Sequence, residues 1–381
     1  NFRPVAISRR SLMDFLQNLS FWLPVPWHGL GRRAMVSSVH ERKLDWEIEM
    51  PPCQRIAVTL PAGTSVVDTI ERVKWAEANG YEDGWMADSG PPDSLTLMAA
   101  LAGYAPTLRL GIAVAPVYSR TPAVFAATAN ALGQLMPGRV ILGLGASSQT
   151  IMDQWHGVSL RKPLTRVKET AIMVRSMLAG EKSDFDLSTL HSHGYRQPPL
   201  ETEVPIYLAA LRPKMVEMAA EVGDGVIFNL WPMKALPKMI EHVAVGARRA
   251  GKDPADVEVV NRHMVLVTDD KEAAVEEFRG RMAPYYATPV YNNFLSWAGY
   301  EDVAAIIAEG WAARDREKTT RAISFELANE IAVIGSADEC RERIRWAGET
   351  GIHTHIIAPL SADPEDVRRT FETFTPENFS R

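Results

Sequence analysis

Few of the residue sets that usually carry catalysis occur in this sequence. Two histidine pairs, His191-x-His193 and His353-x-His355, have the alternate spacing that puts both imidazoles on one face of a strand. Neither pair has an evident third ligand, so satisfied or solvated histidines are expected, with no metal. The run Gly143-x-Gly145-x-x-Ser148 is half of a dinucleotide-binding fingerprint. It lacks both an immediate helix and an acidic residue about twenty positions on. Two readings of it stand side by side: glycines avoiding a clash at a tight strand exit, or small residues letting a flat ring approach the backbone. Arg212-Pro213-Lys214 reads as a helix start, with proline in the first turn. Free backbone N–H groups and the helix dipole there attract phosphate, and Arg212 adds a bidentate contact; the plainer alternative is a surface side chain.

The elements that must position these residues alternate from Arg55 onward. Apolar, β-rich runs at 55–60, 83–88, 108–117, 139–144, 205–210, 225–230, 257–267 and 351–360 are separated by helix-length spacers. Helices are expected at 65–79, 93–103, 122–135 and 163–178, each opened by a capping residue or proline. Near-continuous apolar strands suit a parallel sheet buried on both faces, and eight such units close into a barrel. The expected fold is α/β, a (β/α)8 TIM barrel with insertions after strands 4 and 7. The first insertion, 180–200, has hairpin-like content; the second, 269–350, reads as several helices.

A barrel does its chemistry where strands end. Those positions hold Asp88-Ser89, Val117-Tyr118-Ser119, Gly145 to Gln149, Leu211-Arg212 and Asn229. No Ser/His/Asp set, glutamate pair or nucleophilic cysteine stands among them. Hydroxyls, backbone amides, one acid and one arginine suit a bound cofactor that brings its own reactivity. Of the tryptophans, Trp155 and Trp231 lie beyond strands 4 and 6 and are candidates for the site; Trp75, Trp85, Trp297 and Trp311 read as core or wall.

Composition narrows the partners. The 381 residues are 46% hydrophobic and 23% charged, with a formal net charge of −6, so no basic field draws nucleic acid. The only cysteines are Cys53 and Cys340, without a C-x-x-C, which fits a reducing cytoplasm. The aromatic stretch 15–27 is broken by Pro24 and Pro26 and is too short to span a membrane. Residues 1–49, arginine-rich and poor in acids up to His40, read as an upstream or disordered extension, with 50–381 as the folded domain; a targeting peptide is the alternative.

Two stretches are recognisable as wholes. Arg120-Thr121-Pro122-Ala123-Val124 through Met136-Pro137-Gly138-Arg139 to Gly145 resembles the core of the luciferase-like monooxygenase superfamily. Trp155-His156-Gly157, Pro163-Leu164-x-Arg166, 204–210 and 223–227 resemble its deazaflavin-using branch, which includes methylene-tetrahydromethanopterin reductases. The resemblance implies that Asp88 sits beside a deazaflavin ring and that Ala113-Val114 forms a bulge, often with a cis peptide, supporting the ring from behind. It further implies that Gly145, Ala146, Ser147 and Ser148 run along the ring or its tail, and that the backbone of Leu211 and Arg212 receives a phosphate. The branch's sugar-phosphate dehydrogenases have histidine where this chain has Ser89 and glutamate where it has Ser148, so sugar-phosphate oxidation is not expected.

The resulting expectation is an oxidoreductase that passes a hydride from reduced coenzyme F420 to a small organic substrate, with Tyr118, Ser89 or a water as proton donor. The alternatives are an FMN-dependent monooxygenase of the same fold, a cofactor-binding barrel without turnover, and a metal-dependent hydrolase. Relatives of this fold commonly pair through helices, so a homodimer is expected.

Overall fold

The computed structural model describes residues 54–60, 65–88 and 90–380. The reading of residues 1–49 and the assignment of Ser89 lie outside them. All described residues belong to one unit, Pro52–Arg381.

Eight strands make the framework: β1 (Arg55–Leu60), β2 (Asp83–Met86), β3 (Arg109–Ile112), β4 (Val140–Gly145), β5 (Ile206–Ala209), β6 (Gly225–Asn229), β7 (Glu258–Val267) and β8 (Thr354–Pro359). Each pairs in parallel with the next, and β8 returns to β1, so the sheet closes. The alternation read from the sequence thus gives the (β/α)8 barrel. Helices α1 (Val66–Ala78), α2 (Ser94–Leu101), α3 (Pro122–Leu135), α4 (Pro163–Leu178), α5 (Pro213–Val222) and α6 (Leu236–Arg249) follow β1 to β6. Their starts are set locally: Ser65, Asp93 and Thr121 each accept a backbone N–H of the first turn, and Pro122, Pro163 and Pro213 occupy early helical positions.

The barrel interior is filled by one inward side chain from most strands: Ala57, Trp85, Ile141, Tyr207, Ile227, Val260 and Ile356. Strand β3 contributes Gly111 instead, and a Cβ there would lie 2.4 Å from the Trp85 ring. The indole from β2 therefore occupies the space that a β3 side chain would take. Gly143 is more constrained still, since a Cβ would sit 1.7 Å from the Ile112 carbonyl oxygen. Backbone cannot yield as a flexible side chain does. Gly143→Ala is expected to lower stability by about 3 kcal/mol, read as a lower urea midpoint with an unchanged slope.

Strand three differs from the continuous 108–117 run expected. It pairs over Arg109–Ile112, breaks at a cis peptide between Ala113 and Val114, and resumes as a short strand at Ala115–Pro116 beside β4. The first insertion contains a two-stranded antiparallel hairpin, 184–186 with 191–193. The second holds α7 (Lys271–Tyr286), α8 (Pro289–Trp297), α9 (Glu301–Ala312), α10 (Arg316–Arg321) and α11 (Phe325–Ile331). A short strand, Val333–Gly335, then pairs with β7 and leads to α12 (Ala337–Thr350). This insertion has its own core, with Phe278, Tyr286, Leu295, Ile307 and Leu327 packed on Leu230, Met264 and Leu360 from the ends of β6, β7 and β8. It stands as a wall along that side of the barrel mouth.

Candidate active site at the barrel mouth

Strand ends gather the predicted residues on one rim. Asp88 follows β2, with its side chain 10% exposed. One carboxylate oxygen lies 2.5 Å from the Arg120 guanidinium, and the other accepts the Ser94 N–H at 3.3 Å. Arg120 also pairs with Asp93, the N-cap of α2. Burial alone would disfavour the Arg120 charge; Asp88 and Asp93 reverse that and raise its pKa. The sequence reading named Asp88 but not Arg120, whose only signal was its place in the motif opening α3.

Ala113 and Val114 are half-buried. Beside them Gly145 ends β4, and a Cβ on it would lie 2.5 Å from Val114 Cγ2 and 3.2 Å from Ala209 Cβ. Close packing at the strand exit therefore accounts for both glycines of the run. Ser147 adopts a left-handed φ of 65°, and Ser148 Oγ accepts the Ile151 N–H at 3.3 Å. A helical turn, Thr150–Trp155, follows at once. The expectation that no helix immediately follows is corrected: a short, wide turn runs to His156, just before Gly157 (φ 66°).

Tyr118 donates its hydroxyl to the Arg161 carbonyl at 2.6 Å, with the Arg166 guanidinium 5.5 Å from its ring centre. Burial raises its pKa, and Arg166 only partly offsets this. As it stands, this phenol ties down the segment leading into α4. Leu211 is half-buried, and Arg212 is exposed at the N-cap of α5, its carbonyl accepting from Met215 and Val216. Trp231 is 4% exposed, and its indole donates to Asn261 at 2.7 Å, so it is core rather than site. Trp155, by contrast, is 62% exposed beyond β4.

The histidine pairs separate from the mouth. His193 lies on the exposed hairpin between Asp184 and Asp186, at 2.9 and 3.2 Å. His353 accepts the Val259 N–H, and His355 is buried against His263 at 3.0 Å. Among the described residues no cluster of three or more His, Cys, Asp or Glu is arranged to hold a metal. Cys340 is buried, which pushes its thiol up to about 12.

At the opposite end, where strands begin, an ion network seals the floor. Arg109 bonds Asp83 through Nε and Nη2, and Glu258 through Nη1 and Nη2 at 2.9 and 2.7 Å. Glu258 also accepts from Tyr207 and Thr354, and Asp83 accepts the Trp85 indole N–H. Sequence reasoning read Trp85 as core or wall and gave Asp83, Arg109, Glu258 and Thr354 no role. A mouth with a tethered carboxylate, a shelf of small residues, a left-handed serine turn and a helix start, over a sealed floor, is compatible with a cofactor-dependent barrel.

Comparison with known proteins agrees with that class. The chain belongs to the luciferase-like monooxygenase family, whose model matches residues 52–354. It is 30% identical over 298 residues to a 5,10-methylenetetrahydromethanopterin reductase of Methanolobus tindarius, covering 76% of this chain and 89% of that one. In structure it is similar to the coenzyme F420-dependent tetrahydromethanopterin reductase of Methanopyrus kandleri (TM-score 0.73, 19% identity, 85% of this chain and 98% of that one). It is also similar to the FMN-bound oxygenating constituent of 3,6-diketocamphane monooxygenase from Pseudomonas putida (TM-score 0.61, 17% identity, 86% and 98%).

Proposed function

We propose that this protein is a coenzyme F420-dependent oxidoreductase acting on a small organic substrate in the cytoplasm. The observation that carries the reading is the convergence of Asp88, the Ala113–Val114 bulge, the 145–148 turn and the α5 start on one rim. The identity to the methanopterin reductase, together with the likeness in fold to a reductase that is coenzyme F420-dependent, favours the deazaflavin over FMN. When bound, coenzyme F420 supplies a hydride. The protein's own residues bind and orient. Ala113 and Val114 offer a flat, half-exposed apolar face to one side of a planar ring, and Asp88, fixed by Arg120, faces its edge. The Ser147–Ser148 turn runs along the polar tail. At the start of α5, backbone N–H groups and the Arg212 guanidinium receive a phosphate. The insertion helices wall the mouth and limit water on the β6–β8 side.

A second reading, an FMN-dependent monooxygenase, is supported by the likeness in fold to the FMN-bound oxygenase. Titration with each cofactor separately distinguishes the two. Coenzyme F420 is expected to bind with saturable quenching of its fluorescence, and FMN to bind at least tenfold more weakly. Tighter binding of FMN would move the protein to the monooxygenase reading. Binding of coenzyme F420 without turnover of any acceptor would leave a cofactor-binding barrel.

A further inference from the structure

One charge at the mouth is not used above. On β7 the inward positions alternate: Glu258 lies in the floor network and Val260 in the barrel interior. Arg262 is the next inward position toward the mouth, level with Asn229 on β6 and Ile356 on β8. Unlike Arg109 and Arg120, Arg262 has no ion pair with a carboxylate among the described residues. The titratable groups beside it are the neutral phenols of Tyr285 and Tyr291 and a second cation, Arg281, and burial lowers its pKa. A recessed guanidinium without a counter-ion is costly, so its natural complement is an anion that arrives from solution.

Asn229 is the second, independent observation. Its Nδ2 donates to the Tyr291 hydroxyl at 3.2 Å, while its Oδ1 is buried with no hydrogen-bond partner. Turning the amide over lets Tyr291 donate to Oδ1 and frees Nδ2 as a donor beside Arg262. One guanidinium fork and one amide N–H match a planar monoanion. In the ring of eight strands, β7 stands opposite β3, which carries the Ala113–Val114 face.

We propose that Arg262 and Asn229 form a carboxylate-binding subsite, so that the substrate is a carboxylic acid held on the side of the mouth facing the cofactor's open face. The placement relative to the cofactor rests on the function proposed above. The subsite itself rests on β6, β7 and α8.

The test uses three probe pairs, crotonate, benzoate and cinnamate, each against its neutral methyl ester. They are titrated calorimetrically into the whole protein with and without coenzyme F420. Wild type is expected to prefer at least one carboxylate over its ester by tenfold or more. Arg262→Met is expected to erase that preference, and Arg262→Lys, which keeps the charge but loses the fork, to retain part of it. Removing an uncompensated charge should leave the melting temperature of Arg262→Met unchanged or higher, an outcome that a merely structural arginine would not give. The absence of any preference in wild type, or its survival in Arg262→Met, overturns the proposal. So does a fall in coenzyme F420 affinity in Arg262→Met larger than the fall for the carboxylates, which would assign the guanidinium to the cofactor. If wild type fails to bind coenzyme F420 yet retains an Arg262-dependent carboxylate preference, the cofactor reading fails and the subsite stands.

Discussion

Arg109→Met is expected to destabilise the fold by about 3–5 kcal/mol, the cost of leaving buried charge without its partner. Asp83 is 0% exposed, and the one guanidinium pairs with both it and Glu258, while Arg55 stands 3.8 Å from Asp83 as a second, more distant cation. Urea unfolding at neutral pH measures the loss. The triple replacement of Asp83, Arg109 and Glu258 by apolar residues of similar volume should recover much of it, because the desolvation cost then disappears with the charges. The same network sets an acid limit. Burial alone would push the Glu258 carboxyl up; the Arg109 guanidinium, with the Thr354 and Tyr207 hydroxyls, holds it at about 2. A carboxylate held below its unfolded value adds stability that is fully present above that value and is lost as pH falls through the folded one. Wild-type stability should therefore decline between about pH 5 and pH 2, and this part of the decline should be absent when Glu258 is replaced together with its partners.

Asp88→Ala is expected to weaken coenzyme F420 by about 2 kcal/mol, roughly thirtyfold in Kd. The carboxylate fixes two things at once: the Arg120 side chain and, through the Ser94 N–H, the start of α2. Its removal leaves Arg120, whose side chain is 17% exposed, with Asp93 as its one carboxylate partner. Asp88→Asn separates shape from charge, since it keeps the volume but removes the counter-ion. If charge is what orders the rim, Asp88→Asn should lose nearly as much affinity as Asp88→Ala. Full rescue by asparagine would reduce Asp88 to a packing role.

The sequence carried the barrel well because its signals are local. The ranges of α3 and α4 match the residues expected, since Thr121-Pro122 and Pro163 fix their starts through capping and a preset φ. The apolar pattern runs through strand three unbroken because Ala113-Val114 is as apolar as its neighbours; only the family resemblance pointed to a bulge and cis peptide there, and the structure has the cis peptide. Helices α8, α10 and α11 went unseen. They span 9, 6 and 7 residues, too few turns to show a periodic apolar face. What was least legible depends on closure. Asp83, Arg109, Glu258 and Thr354 are single polar residues at four strand starts, and only the closed ring brings them together. Arg120 lies 32 residues from Asp88, so the tether became visible only with coordinates. Arg262 stands between Asn261 and His263 in β7, and its inward direction follows from register rather than from type.

The most direct measurement of the central claim, that a phosphate-bearing planar cofactor occupies this mouth, is the Kd of coenzyme F420 for wild type and for Arg212→Ala. Arg212 is exposed and sits at the N-cap of α5, so its removal should leave the melting temperature in place. The account predicts a loss of roughly 1–3 kcal/mol, about fivefold to 150-fold weaker binding. An unchanged Kd in that variant, in a protein that still binds the cofactor, would put the phosphate elsewhere and contradict the site described here.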